Sequence, residues 1–314
     1  MRSWPARAEI REVGPRDGLQ NEPPVPVAKR VRLIDALSAT GLRRIEAASF
    51  VAPAAIPAMA GAEDVMAAID RRPGVVYSAL VPNLRGAERA IAAAADEVQL
   101  VVSASETHNL KNVRRTVAES LVAAHEVARL VHAAATPVEA IVSTAFGCPY
   151  EGEVEPERVA QVAGHLVDAG ADRLSFGDTT GMATPRRVDA LLDALERAGI
   201  GSTDVGLHFH DTRGTALANV LFALERGVTR FDASIGGLGG CPYAPGASGN
   251  AVTEDLVHML DDVGVDTGID LAALIECARL AQEIVGRELP SAMLHAGPRL
   301  ARATSGGMPE VGAA

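Results

Sequence analysis

Short apolar or β-branched runs alternate with longer Ala-rich amphipathic segments along the whole chain, and eight such pairs can be counted. The short runs lie near Ala8–Val13, Arg43–Ala47, Val75–Leu80, Glu97–Val102, Val138–Thr144, Arg173–Phe176, Asp204–His208 and Arg230–Ile235. Helix-compatible runs follow them, among them Ala28–Ser38, Arg85–Ala95, Asn112–Ala134, Pro156–Ala169, Pro185–Ala198 and Thr215–Glu225. Strands alternating with helices in this way read as βαβ units on a parallel sheet. Eight units in about 240 residues match the size and order of a (β/α)8 barrel. A doubly wound open sheet is the competing arrangement. Against it, the first strand-to-helix turn, Gly14-Pro15-Arg16-Asp17-Gly18, lacks the G-x-G-x-x-G fingerprint, and polar motifs recur after many strands rather than at one switch point. The expected fold is therefore α/β, a (β/α)8 TIM barrel with additional C-terminal helices over residues 1–290. Thr253–Asp262 and Asp270–Gly286 supply those helices, and residues 291–314 read as a flexible tail.

Hydrophobic residues make up 48% of the chain but aromatics only 3%, so the interior must be built from Ala, Val, Leu and Ile. That suits helices packed on a parallel sheet. The formal net charge is −11, and Lys29 and Lys111 are the only lysines. An acidic chain without a basic run argues against nucleic acid and anionic membranes as partners, and an anionic substrate would need local arginines. The three cysteines, Cys148, Cys241 and Cys277, are widely spaced with no CxxC pair, a reduced intracellular pattern. With no leader-like start and no apolar stretch long enough to span a bilayer, the expected location is the cytoplasm.

His208 and His210 stand two residues apart in a strand-like segment, and positions i and i+2 of a strand share a face. Such a pair can share a divalent cation, or it can be two core or surface histidines. Other polar residues sit where strands end: Arg16, Asp17 and Gln20 after the first, Glu46 and Ser49 at the second, Asn83 after the third, Asp178 and Thr179 after the sixth. A barrel gathers these ends on the face where barrel enzymes place their sites. After the eighth strand, Gly236–Asn250 carries six glycines in fifteen residues, with Cys241 among them. Backbone so free of side chains suits a lid or an anion cradle, or simply a loop needing left-handed turns. Its Gly-Cys-Pro-Tyr is echoed at Gly147–Tyr150, so Cys148 is a second candidate thiol.

Three motifs taken together, Gly14–Glu22, the histidine pair with Asp211-Thr212, and Gly236–Tyr243 running on to Ala247-Ser248-Gly249-Asn250, resemble the 3-hydroxy-3-methylglutaryl-CoA lyase family of metal-dependent barrel lyases and synthases. The resemblance extends to Ile45-Glu46-Ala47, Pro82-Asn83-Leu84, Gly177-Asp178-Thr179 and Thr253–Leu256, and fades in the tail. It implies that Asp17, His208, His210 and Asn250 ligate Mg²⁺ or Mn²⁺, a set that leaves positions open for substrate, unlike a closed thiolate-rich zinc site. It implies retro-Claisen cleavage of 3-hydroxy-3-methylglutaryl-CoA to acetoacetate and acetyl-CoA, with leucine degradation as the suggested pathway and a homodimer as the expected assembly. Arg16 would stabilise the thioester enolate, Cys241 would act as general acid or base, and Asp178 would join them as a catalytic group. Gln20, Glu46, Thr179 and Asn83 would orient substrate, and Glu12 and Glu254 would be supporting carboxylates that fix Arg16 or a ligand. Asn83, Arg85 and Lys111 are candidates for the nucleotide end of CoA. Arg213 and Pro245 stand where the family usually has Tyr and Gln. The added cation at Arg213 would either favour a different acyl tail or pair with Glu151 or Glu153. The competing readings are a lyase for citramalyl-CoA or a longer 3-hydroxy-3-alkylglutaryl-CoA, a Claisen-condensing synthase of the same superfamily, and a catalytically silent acyl-CoA-binding barrel.

Overall fold

The computed structural model describes residues 4–239 and 249–299. Its eight strands are β1 (Glu9–Glu12), β2 (Arg44–Ser49), β3 (Val76–Leu80), β4 (Glu97–Ser103), β5 (Val138–Ser143), β6 (Arg173–Gly177), β7 (Val205–His208) and β8 (Arg230–Ala233). Every neighbouring pair is parallel, and β8 returns to β1, closing a barrel in sequence order. The open sheet is thereby excluded. Around the barrel lie α1 (Val27–Ser38), α2 (Ala62–Ala68), α3 (Leu84–Ala92), α4 (Glu106–Val113), α5 (Val117–Ala133), α6 (Pro156–Asp168), α7 (Pro185–Arg197) and α8 (Ala216–Glu225). They are followed by α9 (Thr253–Val263), α10 (Leu271–Val285) and α11 (Ala292–Ala296). No helix among the described residues is long and apolar enough to cross a membrane.

Two readings of the sequence need correction. The run Asn112–Ala134 is not one helix. Arg114 takes a left-handed conformation (φ 57°), ending α4, and Thr116 with Glu119 forms a capping box that starts α5 afresh. The chain from Ser291, expected as a loose tail, begins with α11. The Ser291 hydroxyl caps that helix at Leu294 N, and Asp255 accepts bonds from Ala292 N and Met293 N, fastening α11 to α9.

The strands explain why the barrel needs so few aromatics. Ile10, Ile45, Val98, Leu100, Val138, Ala140, Val142, Leu174, Phe176, Leu207 and Phe231 are buried beneath the helices. The alternate positions are polar and meet inside the barrel. Arg11 reaches Asp232 and Glu139, Gln99 donates to Glu139, and Arg44 pairs with Glu97. Strands with apolar residues toward the helices and charges toward the axis are the reverse of the aliphatic filling usual in this fold.

At the C-terminal mouth, two further carboxylates hold backbone. Glu12 accepts from Gly14 N (2.7 Å), Ile235 N (2.8 Å) and the Thr253 hydroxyl (2.7 Å), joining β1, the loop after β8 and α9. Glu254 accepts from Gly236 N at 3.1 Å. Burial pushes each of these acids up to about 7, against the hydrogen bonds they accept. An acid whose folded pKa exceeds its unfolded one binds more protons in the native state between the two values. Its stabilising contribution is thus full below about 4.5 and is lost as pH rises to about 7. We expect chelator-treated protein to lose unfolding free energy between pH 5 and 7.5, with Glu12 accounting for up to roughly 3 kcal/mol. Glu12→Gln should flatten that slope in urea unfolding followed by circular dichroism. An unchanged slope would show that Glu12 is ionised in the native state throughout.

Candidate active site

Gly14–Gly18 forms a single π-helical turn directly after β1. The Val13 carbonyl accepts from Arg16 N (3.1 Å), Asp17 N (2.7 Å) and Gly18 N (3.2 Å), which fixes both side chains at the barrel mouth. Glycine is required at its start: a Cβ on Gly14 would lie 2.6 Å from Glu12 Oε1 and 2.8 Å from Ile235 Cγ2. Arg16 is buried and forked, with Nη1 on Asp17 Oδ1 (2.8 Å) and Nη2 on Glu46 Oε2 (2.7 Å). Glu46 lies beside a register shift in β2, between Glu46 and Ala48. Such irregularities re-aim side chains next to sites.

Asp17, His208 and His210 place one potential ligand atom each within 4.8 Å of one another. The Nε2 atoms of the two histidines are 3.1 Å apart. His210 bridges to Asn250, whose Nδ2 donates to Asp17 Oδ2 (2.8 Å) and to Leu238 O (3.0 Å). Its Oδ1 is buried without a hydrogen-bond partner among the described residues. One carboxylate, two imidazoles and a spare amide carbonyl suit a divalent cation with nitrogen and oxygen ligands. The orphaned Oδ1 is the strongest sign of fit, because a buried carbonyl oxygen left unpaired is costly unless something else engages it. Burial opposes ionisation of Asp17, but Arg16 and the two histidines outweigh it and hold the carboxyl down at about 2. Burial and the neighbouring His208 push His210 down to about 4, leaving a neutral ring, the form that binds metal.

Around this cluster, Asp178 N donates to His208 O (2.8 Å), while Asp178 Oδ1 accepts from Met182 N (2.6 Å) and Ala183 N (3.1 Å). Its Oδ2 is buried without a partner among the described residues, and burial raises the carboxyl to about 6. Thr179 Oγ1 accepts from Thr144 N at 2.9 Å, tying the loops after β5 and β6 together. Gln20 is half-buried just beyond the π turn.

Other expected roles change. Asn83 caps α3, its Oδ1 accepting from Gly86 N (3.0 Å), so its side-chain oxygen is committed to the helix. Glu12 and Glu254 hold loop backbone rather than Arg16 or a ligand. Arg213 pairs with neither Glu151 nor Glu153 and instead donates to Thr180 O (2.9 Å) and Gly181 O (2.7 Å). Glu153 pairs with Arg187. Cys148 is buried against Ser105 Oγ (3.0 Å), with Tyr150 N on its sulfur, so the echoed motif is a packed turn. Lys111 lies over the Tyr150 ring at 4.9 Å. Cys241 falls outside the described residues. Its flanks are close: a Cβ on Gly249 would sit 1.8 Å from Gly239 O, so the loop leaves and returns at one point beside Asn250.

Asp232 was not anticipated, although it binds His208 Nδ1 at 3.2 Å. The available signal was an acid flanked by apolar residues inside the eighth strand, where every charge must find a partner.

A family model described as HMGL-like matches residues 7–281. The hydroxymethylglutaryl-CoA lyase of Bacillus subtilis is 48% identical over 289 residues, 92% of this chain and 96% of that protein. The mitochondrial hydroxymethylglutaryl-CoA lyase of Gallus gallus is 45% identical over 300 residues, 95% of this chain and 100% of that protein. Among solved structures, an HMG-CoA lyase from Acinetobacter baumannii in complex with coenzyme A and 3-methylmalate superposes with a TM-score of 0.92 at 44% identity, covering 98% of this chain and 100% of that one. The carboxyl transferase domain of Rhizobium etli pyruvate carboxylase, at 18% identity and a TM-score of 0.68, shares the fold alone. The chain belongs to the 3-hydroxy-3-methylglutaryl-CoA lyase family.

Proposed function

We propose that this protein cleaves 3-hydroxy-3-methylglutaryl-CoA to acetoacetate and acetyl-CoA, with Asp17, His208, His210 and Asn250 holding Mg²⁺ or Mn²⁺. The observation that carries the reading is the nitrogen and oxygen cluster standing directly against the buried fork of Arg16. A bound cation would supply Lewis-acid polarisation of the substrate's tertiary hydroxyl. Asp178, with its unengaged Oδ2, takes the proton of that hydroxyl as the carbon–carbon bond breaks and acetoacetate's ketone forms. The bonding pair passes to the thioester fragment as an enolate. Arg16 stabilises the negative charge on its oxygen, with a planar, permanently charged group held in place by Asp17 and Glu46. Cys241 then gives its proton to the enolate carbon, completing acetyl-CoA. Gln20 and Thr179 orient the acyl chain. Cys148 and Cys277 are buried free thiols, which supports a reducing, cytoplasmic location.

Acetyl-CoA release from 3-hydroxy-3-methylglutaryl-CoA should appear with Mg²⁺ or Mn²⁺ and vanish with chelator. Turnover that survives complete metal removal would overturn the reading. Arg16→Lys should lower kcat by roughly 10²–10³ with little change in KM, since the lost interaction forms with the developing charge. Cys241→Ala should lower kcat by roughly 10²–10⁴, as loss of a proton donor does. Either variant turning over at the wild-type rate would remove that residue from the mechanism.

A further inference from the structure

Strand register puts three residues on one level of the barrel. His208 on β7 is paired with Asp232 on β8, and Asp232 with Arg11 on β1. Arg11 clamps the carboxylate in two bonds, Nε to Oδ1 (2.9 Å) and Nη2 to Oδ2 (2.7 Å). The guanidinium's remaining arm reaches Glu139 on β5, which also accepts from Gln99 Nε2 (2.8 Å) on β4. Arg11, Asp232, Glu139 and Gln99 are all buried. His208 Nδ1 meets Asp232 Oδ2 at 3.2 Å. An ionised carboxylate only accepts, so the proton of a neutral His208 lies on Nδ1 and the lone pair on Nε2, the atom facing His210. His210 differs, because its Nδ1 is buried without a partner among the described residues.

We propose that Asp232, clamped by Arg11, is a positioning residue that fixes the tautomer and ring plane of His208 so that Nε2 is presented to the divalent cation. This rests on the metal reading above. A carboxylate on a free rotor could turn away from the ring. The two-pronged guanidinium bond sets its plane, and Glu139 with Gln99 sets the guanidinium. The charges inside the barrel thereby act on the site through one hydrogen bond.

The test uses the full chain labelled with ¹⁵N-histidine. Long-range proton–nitrogen correlation of the metal-free wild type, recorded at a pH high enough that the His208 ring is neutral and with the His208 signals assigned by their loss in His208→Asn, should show a single Nδ1–H tautomer. An Nε2–H tautomer in the wild type would overturn the proposal without any Asp232 variant, so it stays testable even if those variants do not fold. In Asp232→Asn the single tautomer should be lost, and Mn²⁺ binding, followed by the electron paramagnetic resonance of the free ion, should weaken about 10–100-fold. Glu97→Gln, which removes a buried charge paired with Arg44 and bonded to none of Arg11, Asp232 and His208, should keep the tautomer. A merely structural ion pair would leave the His208 tautomer and Mn²⁺ affinity of Asp232→Asn as in the wild type, and that result sinks the proposal. Absence of Mn²⁺ binding by the wild type is a different failure. It overturns the metal reading and the positioning role with it.

Discussion

Charge pairing inside the barrel is the constraint on which the rest depends. Arg11, Arg44, Glu97, Glu139 and Asp232 are all nearly inaccessible to solvent, and removing one partner of such a pair leaves an uncompensated buried charge, typically costing about 3–5 kcal/mol. Replacing whole pairs with aliphatic side chains is often neutral or stabilising, so the network is poorly explained as a device for stability. Its position offers a better account. It fills the barrel interior beside His208, level with it at Asp232 and Arg11, and an aliphatic filling would offer that imidazole nothing to donate to.

Much of the architecture was legible because a parallel barrel writes its period into the chain. The eight strand-like runs all became strands, and Pro185 stands in the first turn of α7, where its missing N–H costs nothing. The site was legible where local sequence carries it. The π turn holds Arg16 and Asp17 one after the other, and the histidine pair spans the end of β7. What could not be read was contact between strands distant in sequence. Asp232 and His208 are 24 residues apart, and Arg11 and Asp232 are 221 apart. Only the closed register brings them level. Asn83 shows a related limit: a side chain at a strand end is equally placed to cap the next helix, and composition does not say which donor it meets.

Unengaged polar atoms gather at the mouth. Arg16 Nε, Glu46 Oε1, Asp178 Oδ2, His210 Nδ1 and Asn250 Oδ1 are buried with no hydrogen-bond partner among the described residues. Each such group costs about 1–3 kcal/mol if it stays unpaired. Others, such as Gln99 Oε1 and Arg230 Nε, lie deeper in the barrel, but these five stand together at the end where a ligand could engage them. The fork of Arg16 is already occupied by Asp17 and Glu46, so in the proposed mechanism the guanidinium would need little reorganisation as negative charge develops beside it. The bond to Asp17 also helps keep that carboxylate ionised next to the histidines. One arginine thus serves both halves of the site, and the π turn that carries it is held by Glu12 to the base of the cysteine loop. In the proposed mechanism, substrate recognition, cation binding and loop anchorage therefore converge on the first strand-to-helix connection of the barrel.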